Sequence, residues 1–171
     1  VLRRREREIG FPPGEVKPVA LATETPQGLL NIRDFGGCPR VDALSWGAED
    51  LSASIGARRN REEKGEFLAV FRYARILTLL AATAANVQPL DTVYVDINDT
   101  EGLRRDCLEG AWMGFTGKIT IYPTQITVVN EIFTPSAEEI AESKELLAAF
   151  EEYQKVGKMA FSFKGQMVDV P

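Results

Sequence analysis

The chain has 171 residues, is 44% hydrophobic and carries a formal net charge of −5. That length supports one domain with a core, and a mildly acidic balance of mixed sign argues against general nucleic-acid binding while leaving room for a local basic pocket. With no histidine in the chain, a Ser–His–Asp triad or a Cys–His pair from this chain is excluded, and the available chemistry is that of carboxylates and a hard cation held by oxygen. No apolar run approaches the length of a membrane span, and residues 1–9 are arginine-rich without the apolar core of a leader. Cys38 and Cys107 have no motif spacing and read as free thiols in a reducing compartment.

Residues 1–9 read as the end of a helix that Gly10 stops, after which Pro12, Pro13 and Gly14 turn the chain. Residues 16–23 form a short apolar run, the pattern of a strand buried on both faces. A helix is expected over 26–35, a second strand over 41–46 and a short helix over 48–55. Arg58, Arg59, Arg61 and Lys64 crowd a polar loop. The long helix after it, over 66–85, places Phe67, Val70, Phe71, Ala74 and Leu77 at helical spacing. A third strand is expected over 92–95, and a helix over 100–113 that Gly114 ends. A fourth strand over 118–122 precedes a helix over 124–132. Ser136 and Glu139 form a capping box that opens a helix reaching 156, before Gly157, and the tail over 159–171 alternates like a hairpin around Gly165. Strand and helix thus alternate, which implies an α/β fold with a parallel sheet covered by helices. Half of an eight-stranded barrel and an open sheet both satisfy that pattern.

In parallel α/β folds the chemistry gathers at the carboxyl ends of strands. Glu24 ends the first strand, Asp50 lies just past the second, Asp96 and Asp99 end the third, and Tyr122 and Pro123 end the fourth. Two carboxylates facing one pocket suggest Mg²⁺, which keeps waters and accepts substrate oxygens. Glu24 has no obvious packing role at the end of an apolar strand. Asp50 equally suits the N-cap of the following helix, and Asp96 and Asp99 suit turn and cap positions.

Several segments, in order, resemble the citrate lyase β-subunit-like family of the HpcH/HpaI aldolase superfamily. Residues 21–31 (LATETPQGLLN) are similar to the segment carrying that family's metal-binding glutamate, and 46–52 (WGAEDLS) to the one carrying its metal-binding aspartate. Residues 91–96 (DTVYVD) and 114–126 (GFTGKITIYPTQI) look like its last two barrel strands, and 131–139 (EIFTPSAEE) follows as in the family. The tail, 160–171 (AFSFKGQMVDVP), resembles the C-terminal segment of the citramalyl-CoA lyase-like branch.

The resemblance implies the second half of a (β/α)₈ TIM-type barrel over residues 1–157, and a tail over 158–171 that reaches toward a neighbouring subunit of a homotrimer or hexamer. It implies a carbon–carbon lyase acting on acyl-CoA thioesters such as malyl-CoA or citramalyl-CoA, with glyoxylate, pyruvate or oxaloacetate as the 2-oxo acid. A malyl-CoA thioesterase is the alternative chemistry. Glu24 and Asp50 are then the Mg²⁺ ligands, and Asp169 is the group that handles the proton of the acetyl-CoA enolate; read without the resemblance, Asp169 is a solvated tail residue. Tyr122 stands where the family usually has histidine, beside Pro123 and near the coenzyme channel. Arg58 and Arg59 are candidates for the coenzyme phosphates, against the reading of a solvated loop. The implied compartment is the cytoplasm, or the mitochondrial matrix in a eukaryote. The family's first four strands, with the arginine expected to bind the 2-oxo acid, have no counterpart here. A half barrel has two open sheet edges and an apolar inner face, so the alternative to an enzyme is a non-catalytic fragment, or a subunit that needs a partner chain to supply the missing barrel half.

Overall fold

The computed structural model describes residues 1–158 and 160–169; Met159, Val170 and Pro171, part of the expected tail hairpin, lie outside the described residues. Two compact units divide between Phe133 and Thr134.

The first unit opens with α1 (Leu2–Ile9), which ends at Gly10 in the left-handed conformation that glycine adopts without a Cβ penalty. Glu6 of this helix is buried; it accepts from the backbone N–H groups of Gly14 and Val16 and pairs with Arg40. That pair fastens the helix to the approach of the second strand. The strands are β1 (Val19–Leu21), β2 (Ala43–Ser45), β3 (Gln88–Asp91) and β4 (Gly117–Lys118). They form one sheet in the order β1-β2-β3-β4, with every pairing parallel. Between them lie α2 (Pro26–Leu30), α3 (Ile32–Gly36), α4 (Ala48–Ile55), α5 (Ala69–Ala84) and α6 (Thr100–Met113), and α7 (Gln125–Phe133) follows β4.

Parallel neighbours in chain order, each joined by a helical crossover, are the wall of a β/α barrel. Alternation along β1 shows which face the helices cover. Ala20 and Ala22 pack with Leu44 and with Ala81 and Ala82 of α5, whereas Val19 and Leu21 remain 48% and 45% exposed. Val95 and Ile121, beyond the ends of β3 and β4, are also exposed. The chain is thus a partial barrel with an open apolar face, and β1 and β4 are sheet edges among the described residues.

Several expected boundaries shift. The helix expected over 26–35 is two short helices meeting at Asn31, which caps both. The long helix begins at Ala69, because Phe67 bridges to Arg61 in extended pairing. The third strand occupies Gln88–Asp91 rather than 92–95, and the fourth is Gly117–Lys118 rather than 118–122.

The second unit groups α8 (Ala137–Lys155) with the antiparallel hairpin β5 (Ala160–Phe163) and β6 (Gln166–Asp169). Both bonds of the α8 capping box form, between Ser136 and Glu139. Lys164 and Gly165, both at positive φ, make the hairpin turn. Phe161 stacks on Tyr153 with ring centroids 4.3 Å apart.

Candidate functional site

The ends of β1 and β2 are latched together. The Ala22 N–H donates to the Ser45 carbonyl at 3.0 Å, and the Gly47 N–H donates to the hydroxyl of buried Thr23 at 3.2 Å. Glu24, half-buried, follows this latch, and its Cγ lies 2.9 Å from where a Cβ on Gly47 would stand. The glutamate side chain therefore lies against the turn that opens α4. Asp50 is exposed in the first turn of α4, beside Glu49. The two neighbours differ: Glu49 accepts from the Asn60 side-chain amide at 2.6 Å, whereas neither Glu24 nor Asp50 has a hydrogen-bond or ion-pair partner among the described residues.

Two unengaged carboxylates that follow adjacent strands suit a hard divalent cation. Mg²⁺ is commonly bound by one or two carboxylates, with water and substrate oxygens completing its octahedron. Among the described residues no group of three or more His, Cys, Asp or Glu side chains converges. Glu24 and Asp50 would offer such a cation two carboxylate donors, and the missing Cβ at Gly47 leaves space for the Glu24 side chain.

The other expected site residues lie on separate elements. Tyr122 and Pro123 lie exposed in the turn after β4. Buried Gln125 anchors this segment: its amide donates to the Tyr94 carbonyl at 2.8 Å and accepts from the Ile121 N–H at 3.0 Å. Arg58 and Arg59 are exposed, and Arg59 approaches Glu62 at 3.9 Å. Arg61 is not part of a free basic cluster. Its guanidinium covers the Phe67 ring at 3.5 Å and pairs with Asp106 at 2.9 Å. A pocket beside it sets Arg61, Lys64 and Arg105 against Glu66, Asp106 and Glu109, a balance without net attraction for phosphate. Asp169 ends β6 in the second unit, with its side chain exposed.

Asp96 and Asp99 do not end β3. Asp96 accepts from the Asn98 N–H in a turn, and Asp99 is the N-cap of α6, accepting from the Gly102 N–H and the Tyr94 hydroxyl at 2.8 Å each. Burial, followed by the Asp99 carboxylate, pushes the Tyr94 phenol up to about 12, so it remains a neutral donor.

The carboxylate that does end β3 is Asp91, fully buried and not anticipated as a site residue. It accepts from Arg75 Nη2 at 2.7 Å, Trp46 Nε1 at 2.8 Å and Lys118 Nζ at 3.3 Å. Lys118 also bonds Asp106 at 2.6 Å. Burial alone would raise the Asp106 carboxyl, but the Lys118 ammonium and the Arg61 guanidinium outweigh it and hold the group below its ordinary value. This network joins β3 and β4 to α5 and α6 and is closed on itself, which marks it as structural. Its signal in the sequence was a charge on each apolar helix stripe: Arg75 among Phe71, Ala74 and Thr78, and Asp106 among Leu103, Cys107 and Gly110.

Half of a parallel β/α barrel, with Glu24 just beyond β1 and Asp50 in the helix that follows β2, is the kind of frame on whose carboxyl-end rim barrel enzymes assemble their sites. The chain belongs to the HpcH/HpaI aldolase/citrate lyase family, which it matches over residues 1–123. It is 43% identical over 159 residues to the mitochondrial citramalyl-CoA lyase of Mus musculus, covering 86% of this chain and 45% of that protein. It is 34% identical over 152 residues to a (3S)-malyl-CoA thioesterase of Cereibacter sphaeroides, covering 89% of this chain and 52% of that one. Among solved structures, the CitE protein of Mycobacterium tuberculosis in complex with magnesium, acetoacetate and coenzyme A superposes with a TM-score of 0.72 at 37% identity, covering 86% of this chain and 54% of that chain. The chain therefore spans about half the length of the relatives it matches.

Proposed function

We propose that this chain supplies the metal-holding half of a Mg²⁺-dependent carbon–carbon lyase. The lyase cleaves or forms a short 3-hydroxyacyl-CoA such as citramalyl-CoA or malyl-CoA, with acetyl-CoA and a 2-oxo acid on the other side of the reaction. The observation that carries this reading is the unengaged pair Glu24 and Asp50 on strand ends latched by Thr23 and Gly47. Bound Mg²⁺ supplies Lewis-acid polarisation of the 2-oxo acid oxygens. Glu24 and Asp50 supply the negative charge and oxygen donors that hold it. Asp169 handles the proton that acetyl-CoA gains on cleavage and loses on condensation. Tyr122 and Pro123 border the coenzyme, and Arg58 and Arg59 meet its phosphates.

The open inner face, with Val19 and Leu21 exposed, supports a second element of the reading. Four further strands, from the rest of a longer polypeptide or from a partner chain, close the barrel and bring the group that grips the 2-oxo acid carboxylate. The assembly is a homotrimer or hexamer, in which Asp169 serves a neighbouring subunit. No helix among the described residues is long and apolar enough to cross a membrane. The mitochondrial matrix is the compartment if the source is eukaryotic, and the cytoplasm otherwise.

The similarity to a (3S)-malyl-CoA thioesterase favours a second reading, in which water attacks the thioester at the same metal site. Product analysis separates them. Incubation with citramalyl-CoA or malyl-CoA and Mg²⁺ is expected to release acetyl-CoA with pyruvate or glyoxylate. Free coenzyme A with citramalate or malate would instead establish the thioesterase.

A further inference from the structure

We propose that Gly47 is the positioning residue for Glu24, its missing side chain being the space in which the metal-binding glutamate is held; the inference rests on the metal reading above. Glycine here is not required by the backbone. Gly47 has φ −112° and ψ 99°, an extended conformation open to any residue. Nor is it a strong cap, since it offers α4 no side-chain hydrogen bond and serine would serve that place better. What glycine provides is room. A Cβ at this position would stand 2.9 Å from Glu24 Cγ, 3.6 Å from its Oε1 and 3.8 Å from its Cδ, and these are the three nearest atoms. The clash therefore involves Glu24 first. Meanwhile the Gly47 N–H holds the Thr23 hydroxyl at 3.2 Å, fixing the backbone from which Glu24 departs. One residue thus sets both the root and the path of the glutamate, three positions before Asp50.

The test combines two readouts on the purified protein. Calorimetric titration with Mg²⁺ alone is expected to show affinity weakened about 10–100-fold in Gly47→Ala and Gly47→Ser, as for loss of a group that orients a metal ligand. In the absence of metal, Gly47→Ser is expected to lower Tm by about 2–10 °C when Glu24 is present, as overpacking does. In a Glu24→Ala background the same change is expected to leave Tm unchanged or raise it, because the clash is gone and serine caps α4. Should a Gly47 variant fail to fold, recovery of folding in the Glu24→Ala background supports the proposal. An equal loss of Tm or of folding in both backgrounds overturns it, as does Mg²⁺ binding by the Gly47 variants equal to wild type. A wild-type protein that takes up no Mg²⁺ removes the metal reading and this proposal together, whereas failure in the variants alone leaves the metal reading intact.

Discussion

Replacing Asp91 with alanine is expected to lower the unfolding free energy by about 3–5 kcal/mol, as breaking a buried ion pair from one side does. Asp91 is fully buried and receives Arg75, Trp46 and Lys118. Without it, Lys118 keeps Asp106, but Arg75 keeps the half-exposed carboxylate of Glu109, at 2.8 Å, and the uncharged backbone carbonyl of Asp106, at 3.3 Å. A buried guanidinium then lacks its main counter-charge, and the indole N–H of buried Trp46 loses its acceptor. Against a domain stability of about 5–15 kcal/mol, the loss is large. Urea denaturation reads it as a lower midpoint. A loss below about 1 kcal/mol would show that the network does not hold the sheet to its helices.

Glu24→Gln and Asp50→Asn are expected to behave in the opposite way. Each lowers kcat/KM for Mg²⁺-dependent cleavage by at least about a hundredfold, since metal charge stabilisation amounts to several kcal/mol. Each leaves the urea midpoint nearly unchanged, since neither carboxylate has a hydrogen-bond or ion-pair partner among the described residues. Steady-state kinetics on the assembled enzyme, beside denaturation of the same preparations, checks both halves. Retained turnover in either variant would remove that residue from the metal site.

The contrast between Asp91 and Glu24 also explains what the sequence revealed. Helices with strong punctuation were legible to the residue. Residues 48–55 and 100–113 were expected as helices and occur as Ala48–Ile55 and Thr100–Met113, closed by Gly56 and Gly114 in the left-handed conformation. The third strand was expected four residues late. Val93, Tyr94 and Val95 have the stronger β-propensity, yet the ladder forms at Gln88–Asp91, where Leu44 pairs with Pro89 and Asp91 with Lys118. Apolar, β-branched composition reports burial and packing more than pairing. That displacement hid Asp91 and promoted Asp96 and Asp99, which serve a turn and a cap. Glu24 was legible because it ends its apolar run in sequence and in space. Gly47 was not, because a glycine that makes room for a side chain more than twenty positions away leaves no local pattern. The family resemblance supplied the pairing of Glu24 with Asp50, and the fold is compatible with it: β1 and β2 are parallel neighbours, so their carboxyl ends lie on one rim.

Glu24 and Asp50 are proposed to hold one divalent cation between them. Electron paramagnetic resonance with Mn²⁺ in place of Mg²⁺ tests it most directly, because free and protein-bound Mn²⁺ are counted separately. One tightly held Mn²⁺ per chain is expected, displaced by excess Mg²⁺ and lost in both Glu24→Gln and Asp50→Asn. Absence of bound Mn²⁺ in the wild-type protein, or undiminished binding in the two variants, would contradict it.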